Sequence, residues 1–456
     1  MIINKNIKDS LWYSIGGIVN KVSVFLLLPF YTNFFSKEDY AILSIVVILT
    51  TISNHLISYA FNSALLRAFY DYQYDNIGRL IFTVSIDSIK IFILLFSFTI
   101  LINTFFDNTY FHYIYFILLY SLFFSLSCIA LNFLKYKRRV KEFTYYNILK
   151  TLLEMVLIII FVNILVDGVL GKIIGSLISF FLVFFSLYYI VIKDHIIFNY
   201  QKDISKDYFK LSAPLVLNNI VGWSLVSYDQ LLYENNFGLE KFAILTLAIQ
   251  ICSIYKYTVD GFLQAFKVYI FEKIKNFNYN VRELYLFLIS LFSFFALFIV
   301  TFDNYIILIL SNNGYLESSN VIKYYIFSRL IMTINSLLVV FLLIDKKSKI
   351  ITKSTFISLI IMLIFSTILI PNYGVIGAAI ASSITFLSRN IYLSFRLSRS
   401  LKFISLKSIV ILIIFLLTLS LYIVFSPNFL NKLLILIMFS ILLIRFNFKY
   451  FKKNSL

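Results

Sequence analysis

Lys21 and Arg329 each lie about ten residues inside a long apolar stretch, and neither has an acid within four residues along the chain. If those stretches cross a bilayer, each charge lies roughly 15 Å deep at 1.5 Å of rise per residue. A charge at the bilayer centre costs at least ~2.5–3.5 kcal/mol. Such side chains must face a protein interior, where water, another helix or an anion satisfies them. The sequence leaves open whether the partner is a bound anion or an acid on another helix. Lys256 and Lys267 add two more cations, four and seven residues from Asp260. Basic groups gathered in a shielded space draw in a dense anion such as a phosphate. Asp260, Asp229 and His55 suggest a second chemistry. Partly desolvated carboxylates and imidazoles titrate in a useful range, so these three are candidates for coupling to H+ or Na+.

Other chemistries find no support. His55, His112 and His195 are far apart, and no HxxxH or CxxC spacing occurs. Cys128 and Cys252 both fall in apolar segments, so neither a disulfide framework nor a metal centre is expected. No glycine-rich phosphate cradle is present. The expectation is a protein that is not an enzyme and has no cofactor beyond a coupling ion. A net charge of +18 would suit a nucleic-acid binder, but the distribution of that charge argues for another origin.

The elements that position these residues are membrane helices. Of the 456 residues 61% are apolar and 14% charged, and the mean hydropathy is +0.90; a soluble protein carries about a quarter charged residues. A helix needs about 20 apolar residues to cross the hydrocarbon core. Fourteen stretches qualify: 11–34, 40–66, 80–104, 110–134, 143–166, 170–192, 210–233, 241–271, 284–310, 318–344, 350–370, 374–397, 408–426 and 430–446. Placed on alternating loops, 28 Lys and Arg fall on one side and four (Lys37, Lys172, Lys241, Lys432) on the other. Positive residues stay inside. Both termini are therefore expected in the cytoplasm, and the basic charge is mostly a topology signal rather than a nucleic-acid surface. The opening MIINKNIKDS reads as part of a retained first span.

The chain also repeats itself. YTNFFSKEDYAILS at 31–44 returns as YENNFGLEKFAILT at 233–246, with seven identities in fourteen positions. GVLGKIIGSLIS at 168–179 returns as GVIGAAIASSIT at 374–385. Two copies of a roughly 200-residue unit are implied, divided at the connection 193–210. The expected architecture is all-α: a polytopic membrane protein of about 14 transmembrane helices. Two pseudo-symmetric six-helix bundles, 1–193 and 194–397, are followed by two extra helices and a basic tail, 398–456. Repeats of this kind typify transporters, with the substrate site between the halves. Thr51, His55, Ser58 and Asn62 share one face of the second span, and a shift of 202 gives Ser253, Tyr257, Asp260 and Gln264 on the eighth. Both stripes are expected to line a path. Asp87 with Lys90, and Lys150 with Glu154, are spaced to neutralise themselves on one helix face. Lys323 and Arg389 lie within snorkelling reach of a helix end.

FLLLPFYTNFFSKEDYAILS at 25–44, NSALLRAFYDY at 62–72 and PNYGVIGAAIASSI at 371–384 resemble the polysaccharide flippases of the multidrug/oligosaccharidyl-lipid/polysaccharide superfamily. The similarity spans the chain, although Phe61-Asn62 stands where related members often carry glycines. The resemblance implies two six-helix bundles around a vestibule that opens alternately to each side. It implies flipping of undecaprenyl-pyrophosphate-linked oligosaccharide repeat units across the bacterial cytoplasmic membrane, for O-antigen or capsule assembly. Its partners would be the lipid-linked oligosaccharide, membrane lipid and other polysaccharide-assembly proteins. Lys21, Lys256, Lys267 and Arg329 are the substrate-binding candidates by position. A cation-coupled multidrug exporter of the same fold is the alternative, but it should show an acidic interior. A polysaccharide polymerase or acyltransferase fits less well, because the outer loops are short.

Overall fold

The computed structural model describes residues 2–61, 65, 74–105, 111–275, 281–344, 347–397, 414–415, 417–418 and 429–454. Among them there are thirteen α-helices and no β-strand. They are α1 (Ile2–Phe34), α2 (Lys37–Ile57), α3 (Tyr74–Phe105), α4 (Phe111–Tyr136), α5 (Val140–Ile164), α6 (Gly168–His195) and α7 (Lys202–Phe237). Then come α8 (Leu239–Lys275), α9 (Val281–Thr301), α10 (Asp303–Leu310), α11 (Ser318–Ile344), α12 (Ser348–Arg396) and α13 (Phe429–Asn454).

By length and hydropathy, eight of the described helices can cross a membrane, or nine if the bent pair α9–α10 is one span. That is fewer than the fourteen expected, in part because several expected spans lie partly outside the described residues. The expected eleventh and twelfth spans form one element, α12, which turns back at Gly374. The helices α1 and α7 fill the first and seventh expected places at 33 and 36 residues; most side chains in the first half of α1 lie outside the described residues, and the polar side chains of α7 lower its mean hydropathy. The thirteenth span, 408–426, lies outside the described residues apart from 414–415 and 417–418.

Two compact units are present, Met1–Trp223 and Ser224–Leu456. In the first, α4 packs against α2, α3 and α6, and α5 is held between α1 and α6. Ile57, Phe61, Leu80, Val84, Ile129, Phe133, Leu187 and Tyr208 belong to its buried apolar core. This unit takes in the 196–201 connection and the start of α7, because both are tied down. Tyr200 donates to Asp87 Oδ1 at 3.0 Å, the Gln201 amide donates to Thr83 Oγ1 at 3.2 Å, and Phe198 packs edge-on against Phe82. In the second unit, α11 packs against α8, α9 and α12, and α13 lies along α9.

The same local device occurs in each unit. The ring of Phe35 lies so close over Gly168 that a Cβ there would come within 2.6 Å of it. The ring of Phe237 covers Gly374, where a Cβ would meet it at 3.5 Å. Phe35 and Phe237 belong to the first sequence echo, and Gly168 and Gly374 to the second. The two echoes are therefore the two sides of one contact. Gly374 also adopts φ 56, ψ −129, a conformation closed to residues with a Cβ.

Three sequence expectations change here. The second span is not a continuous helix: α2 ends at Ile57 with Ser58 as its C-cap, and Tyr59 and Ala60 take φ of 43° and 54°. The break is held by Tyr208, which donates to the Phe61 carbonyl at 2.9 Å, and by Tyr59 and Phe61 packing on Phe209. The polar stripe of α2 therefore stops at the break, and Asn62 lies outside the described residues. Lys150 does not pair with Glu154; its ammonium lies 5.1 Å from the Phe180 ring centroid, and Glu154 interacts electrostatically with Lys172 on α6. Lys323 does not snorkel; it is buried and donates to Asn320. Asp87 and Lys90 do pair, at 3.5 Å.

Candidate functional site

One set of buried and half-buried polar and ionisable groups lies in the second unit, where α7, α8, α11 and α12 supply one residue or more each. Asp229, on α7, is 4% exposed. Its Oδ2 accepts from Ser382 Oγ on the second arm of α12 at 3.3 Å and from Tyr325 OH on α11 at 3.4 Å. Its Oδ1 is buried without a hydrogen-bond partner. One turn along α11 from Tyr325, the half-buried Arg329 holds its guanidinium carbon 6.0 Å from the Tyr325 ring centroid. That guanidinium lies within electrostatic range of Asp229 and of Cys252 on α8. It donates to Met332 Sδ at 3.8 Å, and its Nε is buried without a partner.

The sequence left Arg329 two alternatives, an anion or an acid on another helix. The structure places Asp229 beside it, 100 positions away. No direct ion pair closes between them among the described residues: the carboxylate keeps one free oxygen, and the guanidinium one free N–H. Buried polar atoms in this state are rare and costly. A site so arranged can take up a small cation or a proton on the carboxylate, and the arginine charge is then released toward an anion.

The remaining predicted residues are distributed as follows. Lys256 and Asp260 are half-buried one turn apart on α8, with Tyr257 within electrostatic range of Asp260. The side chain of Lys267 lies outside the described residues. Lys21 and His55 belong to the first unit. Lys21 is half-buried on α1 beside Asn20, whose side chain accepts from Thr151 on α5. His55 is half-buried in the last turn of α2, three residues before the break. Among the described residues no group of three or more His, Cys, Asp or Glu could hold a metal ion.

Sequence reasoning missed one charged cluster. Asp303, fully buried at the bend between α9 and α10, receives Lys432 Nζ of α13 at 3.1 Å and Ser319 Oγ of α11 at 2.7 Å. In the sequence Lys432 stands at the edge of the span 430–446 and counts among the four cations of one side. The available signal was the lone Asp303 interrupting an otherwise apolar span, but nothing local pointed to a partner 129 residues on.

The family described as polysaccharide biosynthesis protein matches residues 7–266. No curated protein sequence matches the chain. Among solved structures, the lipid II flippase MurJ in an inward closed conformation is similar, with TM-score 0.73 and 17% identity, over 99% of this chain and 100% of that one. A multidrug resistance MATE family transporter of the MOP superfamily, inward-facing, gives TM-score 0.65 and 13% identity over 84% of this chain and 94% of that one. A MATE structure in complex with MaL6 gives 0.60 and 15% over 86% and 95%. At these identities the structural likeness concerns the fold alone, which this chain shares with those transporters. The family match covers more than half of the sequence, and the chain belongs to the polysaccharide biosynthesis protein family.

Proposed function

We propose that this protein is a flippase that moves undecaprenyl-pyrophosphate-linked oligosaccharide repeat units across the bacterial cytoplasmic membrane by alternating access. It would serve O-antigen or capsule assembly beside other polysaccharide-assembly proteins. One observation carries the reading: a polysaccharide biosynthesis chain is similar, over 99% of its length, to a protein named for flipping lipid II. Two further features support it. The interior candidates Lys21, Lys256, Lys267 and Arg329 suit a pyrophosphate, whose charge is dense and poorly screened away from water. Asp229, buried with one free oxygen beside Arg329, suits a coupling ion, H+ or Na+. Occupancy of Asp229 and the attraction of Arg329 for an anion are then linked, because the two charges compensate each other only while both are bare. His55 and Asp260 are the other coupling candidates. Both termini are read as cytoplasmic, and the two units as copies of one ancestral repeat.

The test is reconstitution in proteoliposomes with a fluorescent undecaprenyl-pyrophosphate oligosaccharide in the inner leaflet. The native protein should move it outward, and Arg329→Gln and Lys21→Ala should slow it at unchanged protein level. The multidrug exporter reading, favoured by the MATE likeness, predicts the opposite pattern. Transport of a cationic dye that is abolished by Asp229→Asn, with no movement of the glycolipid, would replace the flippase assignment.

A further inference from the structure

A second polar site in the same unit is built at α9, α10 and α13 and does not include Asp229 or Arg329. The helix axis turns by 66° between α9 and α10, and α13 begins against that bend. A cavity of about 430 Å3 opens there, within the ~300–1,000 Å3 usual for ligand sites. Asp303, Asn304 and Lys432 form its polar floor, and Tyr305, Leu308 and Phe429 its walls. Phe429 stacks edge-on against both Phe302 and Tyr305, at 5.6 and 4.9 Å between centroids. Lys323, one turn along α11 from Ser319, interacts electrostatically with both Asp303 and Lys432. The cluster therefore holds two ammonium groups for one carboxylate. All three side chains are buried.

Outside the floor the surroundings reverse. Leu308, Ile309, Leu430 and Leu434 are all exposed, as expected of a surface that meets acyl chains. A net positive floor under an apolar, lipid-facing mouth matches an amphipath with an anionic head. A hydrocarbon chain alone would cover the net positive charge of the floor without a counter-ion, and a free anion would leave the aromatic and aliphatic walls bare. We propose that this pocket binds the phosphate-bearing headgroup of a membrane lipid, with the phosphate on Lys432 and the proximal chain along Tyr305, Leu308 and Leu430. The phosphate supplies the negative charge that Asp303 leaves short. Lys432 can hold both groups, since an ammonium has three donors. The bound lipid then fastens α13 to the bend, so the last helix is seated partly by lipid.

Native mass spectrometry of the purified full chain tests this with four probes: phosphatidylglycerol, undecaprenyl pyrophosphate, a phosphate-free diglycosyl diacylglycerol and inorganic phosphate. The native protein should retain a phosphate-bearing lipid that the phosphate-free glycolipid does not displace. Leu308→Trp fills the cavity without touching the ion pair, and Lys323→Gln removes the excess charge. Each should weaken retention about tenfold, Leu308→Trp by excluding the lipid from the cavity and Lys323→Gln by removing a neighbouring charge. Retention of undecaprenyl pyrophosphate alone would assign the pocket to the carrier lipid, and retention of both lipids to lipid phosphate in general; either upholds the site. Equal retention of the phosphate-free glycolipid, binding of inorganic phosphate alone, or unchanged retention in Leu308→Trp would overturn it. Should Lys323→Gln fail to fold, Leu308→Trp decides the question alone.

Discussion

Neutralising Asp303 should unseat α13. The Asp303 carboxylate is 0% exposed and the Lys432 side chain 9%, with 3.1 Å between Oδ1 and Nζ. Unit charges at that distance attract by ~5 kcal/mol at an effective dielectric of 20. Desolvating both ions cancels much of that gain, so the pair adds little net stability. Removing one partner is different, because it strands a buried charge and costs ~3–5 kcal/mol. Asp303→Asn leaves Lys432 and Lys323 as two buried cations, and Lys432→Gln leaves Asp303 with Lys323 alone. The double variant removes the pair, keeps the shape and leaves Lys323 as a single buried cation. Asp303→Asn, which strands two cations, should fall furthest in thermal stability, and adding Lys432→Gln to it should recover part of that loss. The assay is a melting curve read by fluorescence-detected size exclusion, with the four proteins forming a double-mutant cycle. Coupling between the sites should exceed ~0.5 kcal/mol, the limit within which independent sites add. Additive losses would refute the reasoning, because the two charges would then not depend on each other. A second readout separates local from global loss: proteolysis near α13 should rise first in the singles.

Three further outcomes follow from close packing and topology. Gly377→Ala should destabilise the α12 hairpin by ~1–3 kcal/mol, because a Cβ there would come within 2.1 Å of the Leu369 carbonyl oxygen, whereas Gly261→Ala, with nothing within 4 Å, should be tolerated. Comparable melting points for the two variants would show that the arms of α12 can separate cheaply. Tyr208→Phe removes the hydrogen bond to the Phe61 carbonyl at the break after α2. It should cost ~1 kcal/mol, seen as faster amide exchange around Ser58–Phe61 and no change near α12. A cysteine at Asn312 should be labelled by an impermeant reagent on intact cells and one at Lys347 should not; the reverse would invert the proposed orientation.

How much of this was legible in the sequence depends on how local the cause is. The all-helical membrane architecture rests on composition and on apolar runs long enough to cross a bilayer, and both are linear properties. The two echoes were visible as identities. Their common physical cause, a Phe ring on a Gly backbone in each unit, was not, since the members are more than 130 residues apart. The i,i+3 pair Asp87–Lys90 was found because helix geometry fixes it. The i,i+4 pair Lys150–Glu154 was expected on the same ground and does not form, because the Phe180 ring and Lys172, both on α6, draw the two side chains apart.

Sequence alone settled which residues are expensive to hold in a membrane: Lys21, Arg329, Asp229 and the charges of α8 stand out because apolar neighbours offer them nothing. Tertiary structure decided what answers them. Asp229 meets Arg329, and Asp303 meets Lys432 and lies within range of Lys323, only because helices far apart in the chain pack side by side. Tyr208 breaks the second span where hydropathy read straight through. Hydropathy sums over neighbours along a chain, whereas a buried charge is balanced by neighbours in space, and the second set cannot be computed from the first.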